Sequence, residues 1–157
     1  MKTIQTKVLI SAAGTLASVS YIKHLREKGY YVIGINSESN TIGKFLCDEY
    51  YQSPLVTDKD NFLLFIEKLT FDVYLPWLDE EHLLFASELN ISFNHKILTS
   101  PSESINISVD KAKTYLFAKN HLINVAERTE KVPAFVRMNF SRGSKGARKV
   151  TSQNELD

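Results

Sequence analysis

A chain of 157 residues, 43% apolar and 24% charged, has the make-up of an ordinary soluble globular protein and can bury a core over roughly two-thirds of its unfolded surface. Its single cysteine, Cys47, excludes an internal disulfide and any cysteine-based zinc cluster within the chain. No apolar run approaches the ~20 residues of a membrane span, and the opening MKTIQTKVLISAAG lacks a signal-peptide core and cleavage site, so a reducing cytoplasm is expected. The formal net charge of +1 is unevenly spread: residues 131–150 hold Lys131, Arg137, Arg142, Lys145, Arg148 and Lys149 with no acid, leaving 13 basic against 18 acidic residues elsewhere. An acidic body with one basic loop points to a local anion site, not to a general affinity for polyanions.

KVLISAAG (7–14) predicts a buried strand entering a small-residue turn. TLASVSYIKHLREKG (15–29) carries Leu16, Val19, Ile22 and Leu25 at helical spacing and predicts a helix closed by Gly29. YYVIGINS (30–37) predicts a second strand, which completes a βαβ unit with a right-handed crossover. A short helix is expected within 41–48 and a short strand or extended connection within 49–54. DKDNFLLFIEKLT (58–70) predicts a helix with Asp58 as N-cap, and FDVYLPWLD (71–79) a strand ending at Pro76. EEHLLFASELN (80–90) then predicts a helix and HKILTSP (95–101) a last short strand. This alternation is that of an α/β, Rossmann-like doubly wound parallel sheet, with Val8, Ile10, Val32, Ile33, Val73 and Leu75 among its buried strand residues.

Beyond Pro101 the rhythm changes. Residues 104–122 predict a helix broken near Ser108, followed by an extended stretch. PAFVRMN and ARKVTS then predict two strands of a hairpin joined by the glycine-bearing loop SRGSKG. The expected domains are 1–105 and 106–157. The second has only about fifty residues, too few for an independent core, so the chain reads as the front part of a longer protein.

SAAGTLAS follows the first strand where a Rossmann domain carries G-x-G-x-x-G, but Gly14 is the one glycine of the three present. Dinucleotide binding is thus weakly supported, and a tight βα turn is the plainer reading. Asp79, Glu80 and Glu81 fall where a strand gives way to a helix, the rim at which α/β sheets bind ligands. Carboxylates there suit binding or polarising a substrate; Asp79 as N-cap, with two glutamates favourable to the helix dipole, is the compatible structural reading. His24, His82, His95 and His121 show no pairing expected of metal ligands, and Trp77 reads as packing. The hairpin is the informative site. Ser141, Gly143, Ser144 and Gly146 leave the backbone able to fold over a phosphate, with Lys145 adding charge. Arg137 offers a bidentate fork, and Lys111, upstream at a helix start, is a residue the fold can bring to the same anion. The spacing is not that of a Walker loop, and no helix follows it. A solvated basic hairpin is the structural alternative.

The segment DKAKTYLFAKNHLINVAERTEKVPAFVRMNFSRGSKGARKV resembles the start of an ATP-grasp domain, particularly of the carbamoyl-phosphate-synthase-like branch. KVLISAAG and LPWLDEE are similar to the Rossmann-like domain that precedes it in those proteins, so the resemblance spans the whole chain. It implies that Lys111 and Arg137 contact ATP phosphates and that Ser141 to Gly146 form the mobile loop closing over them. Gly14, Asp79 and Glu80 would lie on the acceptor-substrate side. The implied protein is an ATP-dependent carboxylate–amine or carbamoyl-phosphate-synthase-like ligase working through an acylphosphate. It uses ATP and Mg2+ and a small carboxylate or bicarbonate-like acceptor, with no nucleic-acid or membrane partner; a homo-oligomer is compatible with it. The family's magnesium ligands and adenine site lie later in the fold, so the 157 residues alone are expected to hold no metal and to be inactive. The alternatives are a Rossmann-type NAD(P)- or nucleotide-binding protein and a non-catalytic nucleotide-binding module.

Overall fold

Short apolar strands separated by helices assemble one parallel sheet from the first hundred residues. The computed structural model describes residues 5–87, 96–140 and 145–155, and the chain divides into two units, Met1–Ser102 and Glu103–Asp157. The first unit runs β1 (Lys7–Ile10), α1 (Leu16–Glu27), β2 (Tyr31–Asn36), α2 (Gly43–Leu46), β3 (Glu49–Gln52), α3 (Lys59–Glu67), β4 (Val73–Leu75), α4 (Asp79–Ser87) and β5 (Lys96–Ile97). The strand order is β3-β2-β1-β4-β5, with every neighbouring pair parallel; Val8 of β1 stands opposite Val32 on one side and Val73 on the other.

Successive strand residues face opposite layers, and both layers are apolar. Leu9, Ile33, Ile35 and Tyr74 pack under Phe62 and Ile66 of α3 and Leu84 and Phe85 of α4. Ile10 and Val32 pack on the other face with Ile22 of α1 and Leu46 of α2. Helices on both faces explain why the central strands read as continuous apolar runs instead of alternating ones. Each fully buried aliphatic or aromatic side chain contributes about 1.5–3 kcal/mol.

Local details depart from the periodic pattern. Leu16 is 88% exposed, while Ser18 is buried in the same helix. Thr15 caps α1 by accepting the Ser18 N–H, and Ser18 Oγ donates to the Ala12 carbonyl at 2.9 Å. The inward face of the first turn therefore belongs to Ser18, and Leu16 projects elsewhere. Gly29, just past the helix, has φ +84°, the left-handed conformation its position demands. Asp58 precedes α3 but caps no helix N–H; its carboxylate accepts from the Asn61 side chain at 2.8 Å. Val73 and Leu75 are half-buried, and Tyr74 between them is the fully buried residue of β4. The end of the helix expected over 80–90 lies outside the described residues, as does His95. No helix among the described residues is long and apolar enough to cross a membrane.

The second unit comprises α5 (Ser102–Ser108), α6 (Lys111–Asn120), and β6 (Ala134–Val136) paired antiparallel with β7 (Arg148–Val150); a short 3-10 turn, Gln153–Glu155, ends it. The helical stretch breaks after Ser108, where Asp110 takes extended backbone and starts α6. Ile105, Ala118 and Val150 are buried, but Leu122, Phe135 and Phe140 stay mostly exposed. So small a unit covers little of its own apolar surface.

Candidate functional site

In the first unit the chain changes direction across the sheet between β1 and β4, and the carboxyl ends of these strands form the rim where an α/β sheet admits ligands. The turn after β1 is held by its own backbone. Ala12 has φ +48°, the Ala13 N–H donates to the Ile35 carbonyl, and the Thr15 N–H donates to the Ala12 carbonyl. A Cβ on Gly14 would stand 2.6 Å from Thr41 Cβ, and one on Gly43 would stand 2.2 Å from the Ala13 carbonyl oxygen. The close approach that glycines give a pyrophosphate in a dinucleotide site is thus taken up by the segment leading into α2.

The rim after β4 is organised by Glu81. This residue is 2% exposed, and its Oε2 accepts from Ser11 Oγ at 2.5 Å, the Trp77 N–H at 2.9 Å and the Leu78 N–H at 3.1 Å. Asp79 is already the first helical residue, so the expected Asp79 cap is corrected: Glu81, reaching back from the first turn, serves N–H groups preceding α4. Burial pushes the Glu81 carboxyl above its usual range, opposed by the Ser11 hydroxyl and the Leu78 and Trp77 N–H groups. Tyr74, buried beside it, is pushed well above the ordinary phenol value by burial and by Glu81. Trp77 packs edge-on against Tyr21, with ring centroids 4.6 Å apart. Of the sequence-derived acids at this rim, Asp79 is exposed and Glu80 half-buried.

The second unit joins its helix start to its hairpin. Asp110 caps α6, its Oδ1 accepting from the Ala112 N–H at 2.9 Å and the Lys113 N–H at 3.1 Å. The Lys113 N–H, the Asn139 side chain and the Ala112 N–H hold the Asp110 carboxyl below its usual range. Asn139, three residues past β6, accepts the Ala112 N–H on Oδ1 at 2.8 Å, and its main-chain carbonyl accepts Lys111 Nζ at 3.0 Å. Lys111 is thereby brought to the strand that leads to Arg137, across 28 sequence positions. Arg137 and Lys145 are exposed. Gly146 has φ +73°, and a Cβ there would meet Met138 Sδ at 2.7 Å, so this glycine closes the hairpin over Met138. Arg148 donates instead to the Glu155 carbonyl. Ser141, Gly143 and Ser144 lie outside the described residues. Asp110 was findable as an N-cap before a helix; Asn139 carries no local signal. Among the described residues no group of three or more His, Cys, Asp or Glu is gathered to hold a metal.

No family model matches the chain. The carbamoyl phosphate synthase large chain of Thermoplasma acidophilum is 29% identical over 154 residues, covering 84% of this chain and 14% of that protein. The fold is shared with N5-carboxyaminoimidazole synthetase from Staphylococcus aureus, solved with ADP (TM-score 0.72, 13% identity, 99% of this chain and 44% of that one). It is shared too with N5-carboxyaminoimidazole ribonucleotide synthetase from Thermotoga maritima (TM-score 0.67, 17% identity, 97% and 42%). The chain has the α/β fold that these synthetases share over part of their length. An L-amino acid ligase from Bacillus licheniformis extends that likeness (TM-score 0.63, 15% identity, 99% and 41%). The chain thus spans less than half the length of each of these relatives.

Proposed function

We propose that this chain is the front part of an ATP-dependent ligase in which the second unit grips the nucleotide's phosphates. The observation that carries the reading is the junction at α6. There the Lys111 ammonium bonds the Asn139 carbonyl, two residues beyond Arg137, in a hairpin that holds no acid between 131 and 150. The carbamoyl phosphate synthase relative and the neighbour solved with ADP support it. In this reading the functional division falls at 1–105 and 106–157.

The chemistry is phosphoryl transfer to a carboxylate, followed by acyl transfer. A carboxylate or bicarbonate oxygen attacks the γ-phosphorus of ATP and the bond to the leaving ADP breaks. An amine then attacks the acyl carbon and phosphate departs. Charge on the transferring phosphoryl is the main obstacle, and fixed cations in a dry site lower it. Arg137 offers two parallel N–H donors, Lys111 a compact charge, and the loop over Ser141, Gly143, Ser144, Lys145 and Gly146 its backbone amides. The hairpin's donor set suits phosphate oxygens and contains no carboxylate for a metal, so residues elsewhere in the protein would hold the Mg2+ that screens the phosphates when bound. Gly14, Asp79 and Glu80 are assigned to the side of the acceptor, and the protein to the cytoplasm.

Dinucleotide binding at the β1–α1 turn is the rival reading, and the packing of Thr41 and Gly43 on that turn disfavours it. The test is phosphate release by the full-length protein with ATP across a panel of carboxylic acids, amino acids and bicarbonate. Release that depends on one acceptor supports the ligase. No release with any of them, together with stabilisation by NAD(H), refutes it.

A further inference from the structure

We infer that Lys149 is a further phosphate-contacting residue of the nucleotide grip, set beside Arg137 on one face of the β6–β7 ribbon; the inference rests on the reading above. The register of the ribbon separates two basic neighbours, Arg148 and Lys149, that are alike in the sequence. Ala134 stands opposite Val150, Phe135 opposite Lys149 and Val136 opposite Arg148. Cross-strand partners share a face, and successive residues of a strand alternate between faces. One face therefore carries Ala134, Val136, Arg148 and Val150. The other carries Phe135 and Lys149, and Arg137 continues its alternation. Burial agrees: Val150 is fully buried and Ala134 and Val136 half-buried, whereas Phe135 is 69% exposed and Arg137 and Lys149 are exposed with it.

Arg148 is engaged within the fold. Its guanidinium donates to the Glu155 carbonyl at 2.8 Å. The Thr151 and Ser152 N–H groups and the Thr151 hydroxyl, with the Arg148 charge behind them, hold the Glu155 carboxyl below its usual range. Lys149 has no such counter-charge. Its cross-strand partner is Phe135, it forms no ion pair among the described residues, and residues 131–150 supply no acid to either face. Diagonal positions across an antiparallel pair lie about 7–8 Å apart, so the stems of Lys149 and Arg137 start close enough for both heads to meet one ligand. Like charges at that spacing repel, and an anion between them turns the repulsion into attraction. The planar fork of Arg137 and the point charge of Lys149 suit neighbouring phosphates of one chain. A diffuse positive field would draw on Arg148 and Lys149 equally; a contact draws on Lys149 alone.

The experiment is Mg·ADP affinity of the full-length protein by calorimetry, with Lys149→Met, Lys149→Arg and Arg148→Met, and Arg137→Ala as reference. Lys149→Met keeps most of the stem and removes the charge, and is expected to weaken ADP binding about 10-fold. Lys149→Arg restores the charge and should stay within about 3-fold of the native protein. Arg148→Met should change the affinity by less than about 2-fold. An equal loss in Arg148→Met and Lys149→Met is the mark of a general basic field and overturns the inference. A loss in Lys149→Arg as large as in Lys149→Met is the mark of a packing role and overturns it too. So does an unchanged affinity in Lys149→Met while Arg137→Ala weakens binding; that outcome leaves the nucleotide reading standing. Unchanged affinity in every variant, or no binding by the native protein, refutes the nucleotide reading itself and the inference with it. If Lys149→Met fails to give a native circular dichroism spectrum, Lys149→Gln takes its place with the same criteria.

Discussion

Replacing Glu81 by alanine tests the account of the sheet rim directly. Three donors converge on its carboxylate: the Ser11 hydroxyl and the Trp77 and Leu78 N–H groups. A buried donor left without a partner costs about 1–3 kcal/mol. The Trp77 N–H keeps Ser11 Oγ as an acceptor at 2.8 Å, so the Ser11 hydroxyl and the half-buried Leu78 N–H are the donors left without this partner, at about 1 kcal/mol each. Loss of the side-chain methylenes adds about 1 kcal/mol, and relief from burying a carboxylate offsets about the same. The expected net loss is about 2 kcal/mol, which in a unit of this size lowers the melting temperature by roughly 8–16 °C. Glu81→Gln keeps the volume and one acceptor oxygen, so it should stay within about 1 kcal/mol of the native chain at neutral pH. The pH dependence has a definite sign. A carboxyl whose folded pKa is raised by burial stabilises the fold below its unfolded pKa, and that contribution is lost as pH rises through the folded value. The stability of Glu81→Gln relative to the native chain should therefore improve from about pH 4 towards neutrality. Thermal denaturation followed by circular dichroism at several pH values reads both quantities. An alanine variant as stable as the native chain, or a glutamine variant that loses ground as pH rises, refutes the reasoning.

Arg137→Ala should raise the KM for ATP roughly 30- to 150-fold, on the order of 2–3 kcal/mol, with little change for the acceptor or in melting temperature. Arg137→Lys should recover part of this, and steady-state kinetics showing unaltered ATP dependence in the alanine variant would reduce the hairpin to a solvated basic face. Gly43→Ala should lower the melting temperature more than Gly29→Ala. Its Cβ would stand 2.2 Å from a main-chain oxygen, whereas Gly29 has open space and meets only the strain of φ +84°. Burial, then the Asp48 charge, push the Cys47 thiol up to about 12, so iodoacetamide at pH 8 should modify it far more slowly in the native chain than in urea. Equal rates in the two would contradict the packing around Gly34 and Cys47.

Much of the architecture is local and was therefore legible in the residues. Apolar runs such as KVLI and YVIGIN announce strands buried on both faces, and the helical spacing of Ile22 with Leu25, or Phe62 with Ile66, announces what covers them. The break near Ser108, the left-handed Gly29 and the glycine-bearing hairpin are likewise written in single residues whose backbone preferences differ from their neighbours'. The basic character of the hairpin is a matter of composition.

Tertiary structure alone decided what depends on residues distant in sequence. The strand order β3-β2-β1-β4-β5 comes from pairings between segments up to 65 residues apart, which periodicity cannot encode. Leu16 sits on the helical stripe yet is exposed, because the turn before α1 gives the inward position to Ser18. Asp79, Glu80 and Glu81 are equivalent as letters, and only the arrival of Ser11 from β1 singles out Glu81 as the buried one. Asn139 meets α6 across 27 positions, a contact that exists only once the hairpin has folded back on the helix start and a carbonyl with no special chemistry of its own stands beside the Lys111 ammonium.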